Sequence, residues 1–394
     1  MDSKMCDFIY LLSCFLNGEK PEDRASDWEG IYKLADVNDV PAMLNHEISL
    51  LKPEYRPYGT TLEYYKKHMA LAISSFQERL DAYNYAASLL EKNGVDFIAV
   101  KGIVVSDYYP VPEYRTSGDF DLIVSDKDIE KVNEIFNSDS NISVRTFNAG
   151  TIISEVLDYP CEIHDSADVK NKYFENIFDM KREGRHELLR YDHLLYVLCH
   201  LIKHLSYRGA GIRMLTDVDV MIRNIVDFDE GYFYSLCREA GVQKSAKLLL
   251  SLSAKWFKTP LKDIKELDED ITDKLARVLV NGGSFGGELS AIPANYMRNQ
   301  FLSRGELTFA GKLRVAFKMA FPGKTHLKKL YRYYEKHTVL YPVAVLNRLA
   351  DAVFLKRGIS RKALSQLHSG SASSALQLEV LDELDIKIDE PSDI

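Results

Sequence analysis

The sequence predicts an α/β or α+β module of roughly 80–90 residues set between helical flanks, and three observations predict it. Residues 62–92 repeat apolar side chains at three- and four-residue spacing and end just before Gly94, the pattern of an amphipathic helix closed by a glycine. The texture then changes to short apolar runs punctuated by Gly, Pro and charge: VDFIAVKG, DFDLIV, SVRTF, TIISEVLDY and CEIHD. From Tyr191 the helical period returns in YDHLLYVLCHLIKHLSYRG and GIRMLTDVDVMIRNIV.

Taken in order, residues 1–90 read as a helical region. VDFIAVKG (95–102) reads as a buried strand leading into a tight turn at Lys101-Gly102, and IVVSDYY (103–109) as one or two helical turns. PVPEYRTSG (110–118) is a loop, and DFDLIV (119–124) a second strand. A helix is expected over 125–138, with Ser125 or Asp126 as N-cap and Ile129, Val132, Ile135 and Phe136 on one face. Further short strands follow to about residue 166. The expected organisation is a helical region at 1–90, a core at 91–185, a helical domain closing its cleft at 186–300, a basic helical module at 301–365 and an acidic, weakly ordered tail at 366–394. A helix at 374–385 is the one ordered element expected in that tail.

Composition bounds the function. The 394 residues are 46% hydrophobic and 27% charged, in the ordinary range of soluble proteins, and can fill two or three domains. No apolar run is long enough to span a bilayer, and the N-terminal stretch carries Asp2 and Asp7 without a small-residue cleavage site, so neither a transmembrane segment nor a secretory signal is expected. Cys6, Cys14, Cys161, Cys199 and Cys237 are scattered and form no CxxC pair, which argues for reduced thiols in a cytoplasmic protein and against a zinc ribbon. The net charge of −8 hides a balance of +11 over 301–362 and −6 over 366–394. The basic, aromatic-rich stretch 312–337 is a solvated helical surface complementing the acidic body, a contact for a membrane surface or polyanion, or a nucleic-acid contact, the last disfavoured by the acidic balance of the whole chain. Walker, GxGxxG and HExxH motifs are absent, which removes the P-loop and Rossmann readings.

The chemistry centres on Asp119 and Asp121. Strand alternation projects both carboxylates to one side and turns Phe120 into the core. Two like charges so close repel unless a cation holds both, and a hard divalent ion such as Mg2+ does so. The plainer alternative is that Asp119 caps a turn and Asp121 finds a basic partner. The surroundings favour the metal. Lys101-Gly102 offers backbone amides and an ammonium to phosphate oxygens, and Arg115 offers a forked guanidinium in the loop before the acids. Alternation in CEIHD places Glu162 and His164 on one face, with Cys161 and Ile163 on the other. This arrangement suits two-metal phosphoryl transfer.

The stretch VKGIVVSDYYPVPEYRTSGDFDLIV resembles the signature of the nucleotidyltransferase-5 group, bacterial proteins of the DNA-polymerase-β-like nucleotidyltransferase superfamily. The likeness continues more loosely through EIH at 162–164, DHLLYVLCHLIKH and RMLTDVDV. It implies an α+β fold with a small mixed-sheet, palm-like core inside helical regions. It also implies that Asp119 and Asp121 are catalytic metal ligands with Glu162 as third carboxylate, and that Lys101, Gly102, Arg115 and Ser117 bind the nucleotide. The sequence departs from the wider superfamily where Gly102 is followed by Ile103 rather than Ser or Gly, and where the third acid is Glu rather than Asp.

Two other constellations are weaker. His200 and His204 lie one helical turn apart and are read as packing, as cleft lining together with His164 and Asp217, or as a zinc pair lacking a third ligand. Asp217 and Asp219 form a second DxD, but on a helix residues two apart diverge and cannot share an ion. Asp219 is therefore expected to be a solvated or capping acid and Asp217 at most a substrate contact. The expected function is Mg2+-dependent (or Mn2+-dependent) transfer of NMP from an NTP to a glycan-related, protein or RNA acceptor, with release of pyrophosphate. The alternatives are a catalytically weak nucleotide-binding scaffold that works through its basic module, or toxin-like nucleotidylation of tRNA or protein.

Overall fold

The computed structural model describes residues 1–24, 26–148, 150–169, 171–207, 209–283, 342–343, 376 and 379–386. The expectations for the basic module and for the contact surface at 312–337 lie outside the described residues, apart from a helical pair at 342–343. So does most of the acidic tail, where residues 376 and 379–383 are helical. The chain divides into two units, Met1–Lys203 with Ile212–Thr272, and His204–Gly211 with Asp273–Ile394.

In the first unit, α1 (Ser3–Asn17) starts where the Asp2 carboxylate accepts the Met5 N–H at 2.9 Å and stops at Gly18, whose φ of 63° suits glycine. α2 (Trp28–Val37) is capped by Asp27, and α3 (Pro41–Leu50) begins with proline at its first position. The long α4 (Gly59–Lys92) ends before Gly94, as its apolar spacing predicts.

The sheet that follows has five strands, β1 (Phe97–Val100), β2 (Phe120–Val124), β3 (Ile142–Asn148), β4 (Thr151–Val156) and β5 (Tyr159–His164), in the order β1-β2-β5-β4-β3. Only β2 and β5 run parallel; their neighbours pair antiparallel. The expected mixed-sheet core within helical regions is thus present. One sheet face carries Phe97, Ala99, Phe120, Leu122, Cys161 and Ile163, which pack with Ala82, Ala86 and Leu90 of α4 and with Val132 and Phe136 of α6 (Ile129–Ser138). These side chains are buried, and the area they remove from water is the main driving force for the module. The edge of β1 is covered by the segment after β5, whose His186 carbonyl accepts the Ala99 N–H at 2.7 Å while its ring stacks on Phe97 at 3.9 Å.

Two local expectations are corrected. The helix expected from residue 125 begins at Ile129 after Asp128, because residues 125–128 form a turn of their own, with Ser125 accepting the Asp128 N–H. The run TIISEVLDY is not one strand. It turns at Leu157 and Asp158, which take φ of 49° and 65°, the geometry of a two-residue primed hairpin turn. Neither is glycine or asparagine, so the usual sequence mark is missing.

Beyond the sheet lie α7 (Arg190–Tyr207), α8 (Ile212–Arg223), α9 (Glu230–Glu239) and α10 (Gln243–Phe257), followed by α11 (Glu269–Asn281). In the second unit Lys274 pairs with Glu379 at 2.9 Å, and Val380, Leu381 and Leu384 are buried.

Candidate active site

The sheet face opposite the apolar core carries the chemistry. Asp121 of β2 stands directly beside Glu162 of the parallel strand β5 and opposite Val100 of β1. Paired residues of adjacent strands project to the same side, so register alone sets the two carboxylates next to each other. His164, two residues on along β5, shares that side. Its Nε2 lies 3.5 Å from Asp121 Oδ1 and 3.6 Å from Glu162 Oε2. Asp121, Glu162 and His164 each offer a donor atom, all within 4.8 Å of one another. Asp119 sits at the strand entry. Burial first, then the charges of Asp121 and Glu162, push its carboxyl above the usual range. Burial would raise Asp121 as well, but Lys101 and His164 hold it below the carboxylate range.

The turn before these acids is strained. Lys101 has φ 59° and ψ −133°, a region that costs a side-chain-bearing residue on the order of 1–3 kcal/mol. Its backbone N–H donates to His193 Nε2 at 3.2 Å, and burial keeps that imidazole neutral, with its pKa lowered to about 4, so the lone pair is present to accept. The Lys101 ammonium bridges Asp121 at 2.7 Å and Asp168 at 2.9 Å. Burial disfavours its charge, but the two carboxylates outweigh that, so Lys101 is a cation at neutral pH.

Asp168 is the residue that sequence reasoning missed. It follows β5 in an irregular segment and is held from α7 by the Tyr196 hydroxyl, by Lys203 Nζ at 3.0 Å and by His200 Nδ1 at 3.5 Å. His200 therefore contacts Asp168 rather than the Asp119–Asp121 pair. His204 belongs to the second unit.

Gly102 is required by its neighbours. A Cβ there would fall 2.3 Å from Arg115 Nη1 and 2.8 Å from Ser117 Oγ. Arg115 cannot yield, because it is buried and its donors are engaged: Nε and Nη2 bind Asp217 at 3.1 and 2.8 Å, and Nη1 binds the Thr116 carbonyl at 3.2 Å. Asp217 also accepts from the Tyr109 hydroxyl at 2.7 Å. The structure thus places Arg115 as the anchor of the loop that carries Ser117, whose carbonyl accepts the Tyr159 hydroxyl at 2.7 Å. The second DxD lies on helix α8 as expected, but Asp219 is not solvated. It is fully buried, accepting from Arg223 at 2.8 Å and Thr259 at 2.6 Å.

The donor set fits a divalent ion. Two carboxylates, Asp121 and Glu162, converge with an imidazole, His164, whose buried Nε2 lacks a hydrogen-bond partner among the described residues. Carboxylate oxygens suit Mg2+ and Mn2+, and the nitrogen donor tilts the set toward the softer Mn2+.

A small mixed sheet within helices, with acids aligned on its parallel strand pair, defines a nucleotidyltransferase core. The chain belongs to a family of uncharacterised nucleotidyltransferases, whose family model matches residues 24–258, and the resemblance read from VKG to DFDLIV is borne out. No curated protein and no solved structure matches the chain.

Proposed function

We propose that the protein transfers a nucleoside monophosphate from an NTP to an acceptor hydroxyl or phosphate and releases pyrophosphate, with Mg2+ or Mn2+ held by Asp119, Asp121 and Glu162 and by the ring nitrogen of His164. The observation that carries this reading is the register of Asp121 against Glu162, which sets two acids side by side with His164 on one sheet face. A divalent ion bound there would draw charge from the phosphate oxygens and orient the attacking group. The chain's own groups do the rest. Lys101 presents an ammonium at the end of β1, and the short helix α5 (Gly102–Val105) follows it, so amides at that turn are set to meet phosphate oxygens. Arg115, tied to Asp217 and packed against Gly102, keeps in place the loop that carries Ser117.

The acceptor is a glycan-related, protein or RNA group, and a labelling experiment separates these. The full chain is incubated with each NTP labelled at the α-phosphorus, with Mn2+ or Mg2+, and with lysate of its source, and the labelled fraction is digested with protease, ribonuclease or glycosidase. Transfer is expected with wild type and should be lost in Asp119→Asn and Asp121→Asn. Transfer that persists in the double variant would sink the assignment.

A further inference from the structure

We propose that Lys101 is an internal counter-ion that occupies Asp121 in the nucleotide-free protein, with Asp168 retaining its ammonium when the divalent ion arrives, so that ion and nucleotide enter together. This rests on the reading of Asp119, Asp121 and Glu162 as the metal site.

Three observations carry it. The Lys101 ammonium sits between two carboxylates, 2.7 Å from Asp121 and 2.9 Å from Asp168, with its side chain only 13% exposed. Its contact with Asp121 is to Oδ1, the same oxygen that His164 Nε2 approaches at 3.5 Å, so the ammonium stands where an ion shared by those residues would be repelled. Asp168, by contrast, does not converge on the metal-competent triple. Its oxygens are held by Tyr196, Lys203 and His200 of α7, which fixes it as an anchor beside the acids.

The strained backbone points the same way. The turn at Lys101 is pinned by His193 through the main chain, which leaves the four-carbon stem to carry any movement. An ammonium has three donors, and Asp121 and Asp168 account for two. A divalent ion arriving alone brings two positive charges against the ammonium. An ion arriving with a triphosphate brings an excess of negative charge, and the ammonium can exchange Asp121 for a phosphate oxygen while it keeps Asp168. Lys101 and Asp168 act as positioning residues: they set when the metal site becomes available.

The test reads Mn2+ binding directly, by electron paramagnetic resonance of the full chain with and without a non-hydrolysable NTP analogue. Wild type is expected to bind Mn2+ weakly alone and tightly with the analogue. Lys101→Met should tighten binding without nucleotide on the order of tenfold or more and shrink the difference that the analogue makes. Asp168→Asn should do the reverse, because Lys101 then has only Asp121. If Lys101→Met folds poorly, as judged by circular dichroism, the double variant Lys101→Met/Asp168→Asn removes one charge of each sign and should still bind Mn2+ more tightly than wild type. Unchanged or weaker nucleotide-free binding in the Lys101 variants, while analogue-loaded wild type binds Mn2+, overturns the counter-ion role and leaves the metal site standing. Failure of analogue-loaded wild type to bind Mn2+ overturns both.

Discussion

Replacing Asp217 by asparagine removes one charge and no bulk, and its cost follows from the contacts of Arg115. The Asp217 carboxylate accepts from Arg115 Nε at 3.1 Å and Nη2 at 2.8 Å, and from Tyr109 at 2.7 Å. In Asp217→Asn the side-chain oxygen can keep Arg115 Nε and Tyr109, but the amide nitrogen then faces Nη2, donor against donor. The larger effect is the charge. Arg79 and Arg213 both act on Arg115's surroundings as like charges, and each has its own pKa lowered by burial and by Arg115. Without Asp217 three guanidiniums share this interior with no formal negative partner on α8. Breaking a buried pair on one side costs about 3–5 kcal/mol, and we expect Asp217→Asn to fall in that range in urea unfolding at pH 7, followed by circular dichroism. Burial alone would raise the Asp217 carboxyl, but Arg115 holds it below the usual carboxylate range. A depressed folded-state pKa gives stability that is complete above the unfolded value and is lost as pH falls through the folded one. The gap between wild type and variant should therefore be full above about pH 3.9 and close below it. Removing both charges, in Arg115→Met/Asp217→Leu, should recover much of the loss. A cost for Asp217→Asn below about 1 kcal/mol, the range of exposed pairs, would refute the argument.

Three further outcomes are expected. Gly102→Ala places a methyl 2.3 Å from the pinned Arg115 Nη1 and should cost about 1–3 kcal/mol by overpacking; unchanged stability in the same unfolding assay would show that the loop relaxes freely. His164→Gln exchanges a ring nitrogen for an amide, so Mn2+ affinity should drop relative to Mg2+ affinity; titration of both ions against analogue-loaded protein reads the ratio, and a constant ratio means that His164 is not a ligand. Asp219→Asn leaves Arg223 and Thr259 short of a charged acceptor in a fully buried site and should cost about 1–3 kcal/mol, with Mn2+ binding unaffected; a change in Mn2+ affinity would contradict the separation of the second DxD from the site.

The parts of the fold that rest on local pattern were legible in the sequence. The runs FIAV, FDLIV and CEIH are short, apolar and alternating where they should be, and alternation alone put Glu162 and His164 on one face and Cys161 in the core. The neighbouring turns were less legible. The hairpin at Leu157 and Asp158 puts a leucine, which carries no turn signal, at positive φ, so tertiary pairing of β4 with β5 overrides local preference there. Burial of Asp219 was hidden for a related reason: Thr259 lies in a distant segment, and no helical period reports a partner supplied by another element. The Arg115–Asp217 pair joins the loop before β2 to α8. Arg115 could be read only as a free donor until that helix was placed.

Asp168 shows why the site itself needed the structure. The sequence set two readings of Asp121 against each other, a metal ligand or an acid with a basic partner. The structure supplies the basic partner, Lys101, and also the neighbours of a metal ligand, Glu162 and His164. The readings are compatible because the charges do not balance. Asp119, Asp121, Glu162 and Asp168 are answered by Lys101 and Lys203, while the charge of Arg115 is spent on Asp217. An acid pair whose only task was to hold Lys101 would not gain from Glu162 and Asp119 beside it, since each added carboxylate in a buried setting repels the others. Positive charge from outside the chain relieves that repulsion, and a divalent ion carrying a triphosphate brings both the charge that the acids lack and the anion that the Lys101 ammonium can meet.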